Sequence, residues 1–337
     1  MAERGQPELT LDQAMEGLPK DFGFFADHFR TSVQPKLLAR EDERVRAVKK
    51  QMNFIFWGVL AFIALTAGGY ILFQEFFGAI IGVFAGIGLY AWGSMDINRL
   101  AKETKLMLIE PVSSEFGMQF QLTPAPPEAI HRCRSLDLVP SWDRAKYEDM
   151  LTGMRGNVPF EFFEAHLEEK RTTTDGKGRT RTTWVTVFKG QCLAVKFHKE
   201  FKGVTKVYRD MGAFNWLAKF GVKEPRVRLE DPVFEKAFEV YGSDQIEARF
   251  LLTPDFMERL VGLERTFQGK QLRCAFAGGE MLLAVAGKNL LESGSMHRRM
   301  DDLNRVREVL LDFAAIFLLI DAMSQKLTPD ALRQPQA

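Results

Sequence analysis

The chain has 337 residues, long enough for one soluble domain together with a membrane segment. Its 45 Lys and Arg residues nearly balance its 44 Asp and Glu residues, so the net charge of +1 gives no reason to expect a nucleic-acid partner. The 3 cysteines are widely separated and form no CxxC pair, which excludes a zinc ribbon and a thioredoxin-type motif. We expect these cysteines to be small buried core residues.

Residues 1–52 predict a cytoplasmic helical stalk. Phe22, Phe25 and Phe29 recur at helical spacing, and Pro35 suits the first turn of a further helix that leads into an apolar block. Because these first residues are rich in charge, they do not resemble a signal peptide. We therefore expect the apolar block to remain in the mature protein.

Residues 53–95 predict a transmembrane helical hairpin. The runs 53–73 and 76–95 contain no charged residue, and each is long enough as a helix to cross the ~30 Å apolar core of a bilayer. Only Gln74 and Glu75 separate the runs, which suits a tight turn at the far face of the membrane. A helix that is apolar all round is hard to bury in a soluble domain of this size.

The flanks of the hairpin predict its orientation. Basic residues concentrate on the cytoplasmic side of membrane proteins. The turn between the two runs contains no basic residue. The basic residues on the other sides of the runs are Arg40, Arg44, Arg46, Lys49, Lys50, Arg99, Lys102 and Lys105. We therefore predict a multi-pass protein of the bacterial inner membrane with both termini in the cytoplasm. Trp57, Tyr90 and Trp92 would share the inner interface, and Tyr70 would mark the outer one.

Small residues recur at every fourth position in both runs. A strip of this kind lets another helix backbone approach closely, and it predicts packing between the two spans. Packing between copies of the chain is the alternative. The residues of the two strips are Gly78, Gly82 and Gly86 in the second run, and Ala64 and Gly68 in the first. Neither run contains an ionisable residue, so we do not expect a pump or a channel.

After the hairpin, residues 96–116 predict a juxtamembrane helix that stops near Pro111 and packs against the first stalk. Residues 117–326 predict a cytoplasmic α+β domain with antiparallel strands and a long C-terminal helix. Two strand-like runs flank the turn sequence from Asp175 to Gly178 and predict a hairpin. Its basic tip could contact an anionic surface through Lys177, Arg179 and Arg181, although a solvated hairpin explains the same pattern.

Three further features complete the predicted domain. Thr253 followed by Pro254 suits the start of a helix, and Gly278 with Gly279 predicts a second strand hairpin. The pattern of apolar residues from Arg298 to Ser324 predicts the C-terminal helix. Residues 327–337 predict a disordered tail.

No motif in the chain predicts an activity. The histidines do not match a metal-binding spacing, no serine lies in a GxSxG elbow, and the sequence DGKGRT lacks the spacing of a P-loop. We therefore predict no catalytic residue, no metal site and no cofactor.

Several segments resemble an uncharacterised family of bacterial membrane proteins, catalogued as domain-of-unknown-function family thirty-one thirty-seven. The resemblance rests on Tyr147-Glu148-Asp149 with Gly153, on Phe188-Lys189-Gly190, and above all on the segment from Leu229 to Leu260. It extends over most of the chain, from the first stalk to the last helix. It implies an inner-membrane protein with a cytoplasmic α+β domain, and it implies no activity.

These patterns together predict a membrane-anchored cytoplasmic interaction or scaffold protein. Its expected partners are the lipid bilayer and another protein, with a second copy of the chain as a further possibility and no nucleic acid. Two alternatives stay open: an enzyme that acts at the cytoplasmic membrane face, and a module that senses anionic lipid.

Overall fold

The computed structural model describes residues 9–73, 77–197, 201–209, 223–266, 272–292 and 294–324. The predicted turn at Gln74 and Glu75 and the predicted tail 327–337 lie outside these residues. The chain forms two compact units. The first comprises Met1–Val112 with Leu291–Ala314, and the second comprises Ser113–Leu290 with Ala315–Ala337.

The elements follow in chain order. The helices are α1 (Leu11–Met15), α2 (Phe24–His28), α3 (Gln34–Ala39), α4 (Glu41–Phe73), α5 (Phe77–Glu115), α6 (Glu128–Ser135), α7 (Pro232–Ala237), α8 (Gln245–Leu251), α9 (Pro254–Thr266) and α10 (Leu303–Ser324). The strands are β1 (Gln119–Gln121), β2 (Arg144–Arg155), β3 (Val158–Thr174), β4 (Thr180–Lys196), β5 (Thr205–Arg209), β6 (Arg226–Val227), β7 (Phe238–Gly242), β8 (Leu272–Ala277) and β9 (Glu280–Ala286). A short 3-10 turn (Lys20–Phe22) and a π turn (Phe29–Val33) complete the N-terminal segment.

The first unit begins with the short helices α1 to α3. The hydroxyl of Thr10 accepts a hydrogen bond from the Gln13 amide, and the Gln13 side chain accepts one from the Thr10 amide, which together cap α1. Phe22, Phe25 and Phe29 are all buried, as their spacing predicts. Arg307 of α10 donates to main-chain carbonyls at the end of α1, so the last helix ties this segment to its unit.

Helices α4 and α5 carry the apolar runs. Within the described residues, Glu41–Ile71 and Gly78–Glu115 are long and apolar enough to cross a membrane. In the most apolar window of α4, only 6% of the residues are buried inside the protein. A core helix of a soluble protein would be mostly buried, so the exposed apolar surface favours contact with lipid.

The polar ends of α4 and α5 pack together, as predicted for the two stalks. Lys50 pairs with Asp96 at 2.7 Å, and a hydrogen bond of 2.9 Å runs from the Gln51 amide to the Ser94 hydroxyl. Ion pairs also join Arg99 to Glu43 and Arg40 to Glu103. Polar contacts therefore begin where the uncharged runs end.

Helix α5 ends at Glu115, within one residue of the predicted bound at 116, but the predicted stop near Pro111 is wrong because the helix continues through this proline. A proline inside a helix removes one main-chain hydrogen bond and kinks or breaks the helix. Leu108, Ile109 and Val112 are all buried around Pro111, and this packing stabilises the helix across the defect.

Helix α10 begins at Leu303, five residues later than its apolar pattern suggests. The Asp302 carboxylate accepts a hydrogen bond from the Asn304 amide and so caps the helix at this point. The preceding loop is held by two arginines of the first unit. Arg305 is buried and donates to the carbonyls of Ser295 and Met300, and Arg44 donates to that of Met296.

The second unit is built on one antiparallel sheet. Its order among the described strands is β1-β2-β3-β4-β9-β8-β5-β7-β6, so the β8–β9 hairpin lies between β4 and β5. Both predicted hairpins are present, at the turn from Asp175 to Gly178 and at Gly278 with Gly279. The α+β class with antiparallel strands and a long C-terminal helix is confirmed.

Helix α6 packs on the sheet over a buried core that includes Phe163, Leu167 and Ala284. Cys133 of α6 and Cys192 of β4 lie in this core, within hydrogen-bonding reach of each other. All 3 cysteines are buried and none forms a disulfide, as their spacing predicts. The Thr253 hydroxyl accepts a hydrogen bond from the Phe256 amide at the predicted start of α9.

Candidate functional site

The β3–β4 hairpin continues well beyond its neighbours in the sheet. The pairing of β2 with β3 ends at Glu168, and the pairing of β9 with β4 ends at Gly190. Strands β3 and β4 remain paired with each other up to Thr174 and Thr180. The seven residues from Glu168 to Thr174 extend ~20 Å at the usual rise of a strand. Residues 170–182, which we call the basic ribbon, are exposed.

A tight turn closes the basic ribbon. One carboxylate oxygen of Asp175 accepts hydrogen bonds of 2.9 Å from the amides of both Lys177 and Arg179. Gly178 has a φ of +76°, a backbone conformation that favours glycine. The local sequence thus fixes the turn, and Asp175 uses its negative charge to organise the backbone.

The basic ribbon carries five basic side chains and only one acidic side chain, that of Asp175. No ion pair among the described residues involves Lys177, Arg179 or Arg181, the three residues predicted to contact an anionic surface. Strand alternation and the pairing of Thr173 with Arg181 place Arg171 and Arg181 on one face. The opposite face carries two cross-strand threonine pairs, Thr172 with Thr182 and Thr174 with Thr180.

An aromatic contact marks the base of the basic ribbon. The guanidinium of Arg144 lies 4.2 Å from the ring centroid of Trp184, and its Nε donates to Glu168. A cation over an indole face at this distance is attracted by the ring quadrupole. The Trp184 side chain remains partly exposed beside this contact.

A second polar group, which we call the Lys206 cluster, lies on strands β5 and β8 and near the end of α6. It comprises Lys206, Tyr208, Arg273, Asp137 and Glu224. The buried ammonium of Lys206 lies 3.0 Å from Asp137 and 3.2 Å from Glu224. The Tyr208 hydroxyl donates to the carbonyl of Leu136, and Arg273 donates to the carbonyl of Asp137. The cluster thus ties the segment after α6 to the sheet.

Burial shifts the pKa values of two side chains in the Lys206 cluster, Tyr208 and Arg273. It raises the pKa of Tyr208, and the nearby carboxylate of Asp137 raises that pKa further. Burial also lowers the pKa of Arg273. The cluster is a structural network, because Lys206 pairs with two carboxylates of the same unit. Its members are far apart in the sequence, so no local sequence pattern predicts the cluster.

The hairpin of α4 and α5 places the predicted interface aromatics at its surface. Gly93 lies against Phe54, and Gly86 lies opposite Gly58, so the antiparallel register brings Trp57 to the same end as Tyr90 and Trp92. Tyr70 lies toward the other end of α4. All four predicted aromatic side chains are more than half exposed.

The glycines of α5 lie against α4. A Cβ atom at Gly78 would overlap the carbonyl of Leu65, and one at Gly82 would lie 3.0 Å from the Cα of Phe62. Gly86 is more open. On α4 the strip meets Gly58 and Gly69. The predicted partners Ala64 and Gly68 lie elsewhere: Ala64 is exposed, and a Cβ at Gly68 would meet nothing within 4 Å.

A comparison with protein-family models finds a match to part of the chain. The family model described as "Protein of unknown function (DUF3137)" matches residues 186–325. The helical hairpin of α4 and α5 and the basic ribbon lie outside this match. No curated protein matches the chain. The crystal structure of the mycobacterial trehalose monomycolate transport factor A, TtfA, is 12% identical, and the match covers 69% of this chain and 97% of that chain with a TM-score of 0.28.

A structural likeness this weak indicates neither a shared fold nor a shared function. The family match covers a smaller part of the chain than the sequence resemblance suggested. Within that part the resemblance is confirmed, and residues 186–325 match the DUF3137 family, a group of proteins of unknown function.

Proposed function

We propose that this protein is a membrane-anchored interaction or scaffold module of the bacterial inner membrane. The observation that carries the proposal is the exposed apolar surface of α4 and α5. Large side chains such as Phe56, Ile63 and Phe84 are exposed along two helices that hold no charge between residues 53 and 73 or between 77 and 95. Exposed apolar surface on this scale is costly in water and favourable in lipid.

The flanking charges support a cytoplasmic location for both termini. Basic residues lie beside the polar ends of α4 and α5, and the sequence between the helices has none. Several of these basic residues form ion pairs between the helices, such as Lys50 with Asp96. Ion pairing leaves the proposed orientation unchanged, because orientation follows the number of Lys and Arg residues rather than the net charge.

The absence of ionisable residues from the two apolar runs favours an anchor over a transporter. Ion and proton pathways use acidic, basic or histidine side chains within the membrane, and neither run contains one. The close contacts of Gly78 and Gly82 with α4 favour a tightly packed helical pair.

The sheet unit supports an interaction role more than catalysis. The basic ribbon is exposed, so it contributes surface rather than core. In the Lys206 cluster, the pKa values of Tyr208 and Arg273 are shifted, as often occurs at active sites. The buried ammonium of the cluster, however, is held by ion pairs within the cluster. An enzyme acting at the membrane face would instead need convergent polar groups in an open pocket.

Photo-crosslinking in living cells tests this proposal. A photoreactive amino acid replaces Ile246, whose side chain is 81% exposed on α8, and in a parallel strain it replaces the buried Phe163 as a matched control. We expect one protein partner, or a second copy of the chain, to be crosslinked at residue 246 but not at residue 163. Turnover of a small molecule by the purified protein, with no protein adduct at either position, would overturn the proposal.

A further inference from the structure

We infer that the basic ribbon docks onto anionic phospholipid headgroups of the bilayer that anchors the chain. This inference rests on the proposed membrane anchor and adds a lipid contact for the sheet unit. Its basis is the position of the cations: five basic side chains lie on residues 170–182 of an exposed two-stranded extension.

The charge of the basic ribbon is available for binding. Arg171 lies 3.1 Å from Glu169, but Lys177, Arg179 and Arg181 form no ion pair among the described residues. The carboxylate of Asp175 accepts hydrogen bonds from the turn backbone. Each cation near an anionic membrane surface strengthens binding about fivefold, so the four cations other than Arg171 outweigh the single acid of the basic ribbon.

The side-chain chemistry of the basic ribbon fits headgroups better than a protein partner. Protein interfaces gain most of their affinity from a few aromatic or aliphatic groups buried in pockets. Residues 170–182 contain only Lys, Arg, Thr, Asp and Gly. Arginine and lysine donate to phosphate oxygens, and the threonine hydroxyls can do so as well. Trp184, partly exposed at the base, is of the residue type that favours the headgroup region.

The tether makes a weak lipid contact effective. A chain held in a bilayer by its hairpin presents its other surfaces to the same headgroups at a high local concentration, so each contact costs little additional entropy. Nucleic acid would need the same cations, but it would lack this advantage. Acidic proteins and nucleic acids are therefore the competing occupants that the experiment must distinguish.

The experiment uses the full chain with Gly176→Cys, labelled by a maleimide fluorophore at the tip of the basic ribbon. The three native cysteines are buried, which directs the label to residue 176. The labelled protein is placed in nanodiscs of phosphatidylcholine alone or mixed with phosphatidylglycerol, with a headgroup-linked quencher in each. Size-exclusion chromatography first shows whether the chain enters the discs, and failure at this step would count against the anchor itself.

We expect strong quenching in discs with phosphatidylglycerol, weak quenching in phosphatidylcholine, and loss of the difference in high salt. Arg179→Glu combined with Arg181→Glu should weaken the lipid contact at least about tenfold, because two of the five cations are reversed. The matched control, Lys236→Glu with Arg249→Glu, makes the same charge change at exposed positions on α7 and α8 and should leave quenching unchanged.

Equal quenching in both kinds of disc, or equal quenching of the ribbon variant and the control, would overturn the inference. A protein or nucleic-acid adduct captured from residue 176 in cells, together with no quenching in anionic discs, would also overturn it and would identify the competing occupant. That second result would leave the proposed membrane anchor intact.

Discussion

Gly78 on α5 lies directly against the main-chain carbonyl of Leu65 on α4, so close that a Cβ atom at residue 78 would overlap the Leu65 oxygen. Four residues further along α5, Gly82 has a similar relationship with Phe62. These contacts define how the two apolar helices pack. They also distinguish the glycines that contact the neighbouring helix from the glycines of α5 that do not.

Gly78→Ala should destabilise the hairpin. The added methyl group meets main-chain atoms, which cannot rotate away, and overpacking of this kind costs about 1–3 kcal/mol. The expected result is a lower Tm for the protein in detergent. Gly88→Ala is the matched control, because a Cβ there would meet nothing within 4 Å. Equal Tm values for the two variants would contradict the packing.

Asp312 should make the stability of the first unit depend on pH. Burial, with smaller contributions from Glu308 and Glu292, raises the pKa of this carboxyl from 3.8 to about 6, although the Leu291 amide and Lys105 act in the opposite direction. Between these values the folded state binds a proton that the unfolded state has lost. This carboxyl therefore contributes most to stability below about pH 4, and its contribution falls by about 3 kcal/mol as the pH rises from 4 through 6.

The Asp312→Asn variant should remove this pH dependence. Its amide oxygen can still accept the hydrogen bond from Leu291, which is 2.8 Å long in the native chain. Unfolding measured from pH 4 to pH 8 should show the variant gaining stability over the native protein as the pH rises. Asp12→Asn, at a carboxylate that is 88% exposed, should leave the profile of the native protein unchanged. Parallel profiles for the native protein and Asp312→Asn would refute the prediction.

Lys206→Met should destabilise the sheet unit. The substitution removes the ammonium group that pairs with both Asp137 and Glu224, so the two carboxylates lose this ion-pair partner. Loss of one partner from a buried ion pair costs about 3–5 kcal/mol, and the half-exposed side chain of Asp137 reduces the expected loss to about 2–3 kcal/mol. Denaturant unfolding measures the loss. Lys146→Met, at an exposed pair with Glu148, serves as the control and should cost far less.

The features that the sequence predicted well are local. The turn from Asp175 to Gly178 depends on an aspartate and glycines within four residues, and the start of α9 depends on Thr253 beside Pro254. The buried phenylalanines at 22, 25 and 29 follow the period of a helix. In each of these cases the residues that determine the local structure are neighbours in the sequence, so a short stretch of sequence is enough to predict it.

The features that the sequence missed depend on distant contacts. Lys206, Asp137 and Glu224 meet only because strand β5 lies beside the end of α6 in the folded unit. The insertion of β8 and β9 between β4 and β5 leaves no local signal either. Ala64 and Gly68 have the spacing of a packing strip, but spacing alone does not say which helix face meets the neighbour.

The most direct test of the account is the accessibility of two engineered cysteines in intact cells. Gln74→Cys lies between the apolar helices, and Gly176→Cys lies at the tip of the basic ribbon. A membrane-impermeant maleimide should label residue 74 in intact cells and residue 176 only after the inner membrane is opened, while the buried native cysteines remain unlabelled. Labelling of residue 176 in intact cells, or protection of both residues, would contradict a two-span anchor with a cytoplasmic sheet domain.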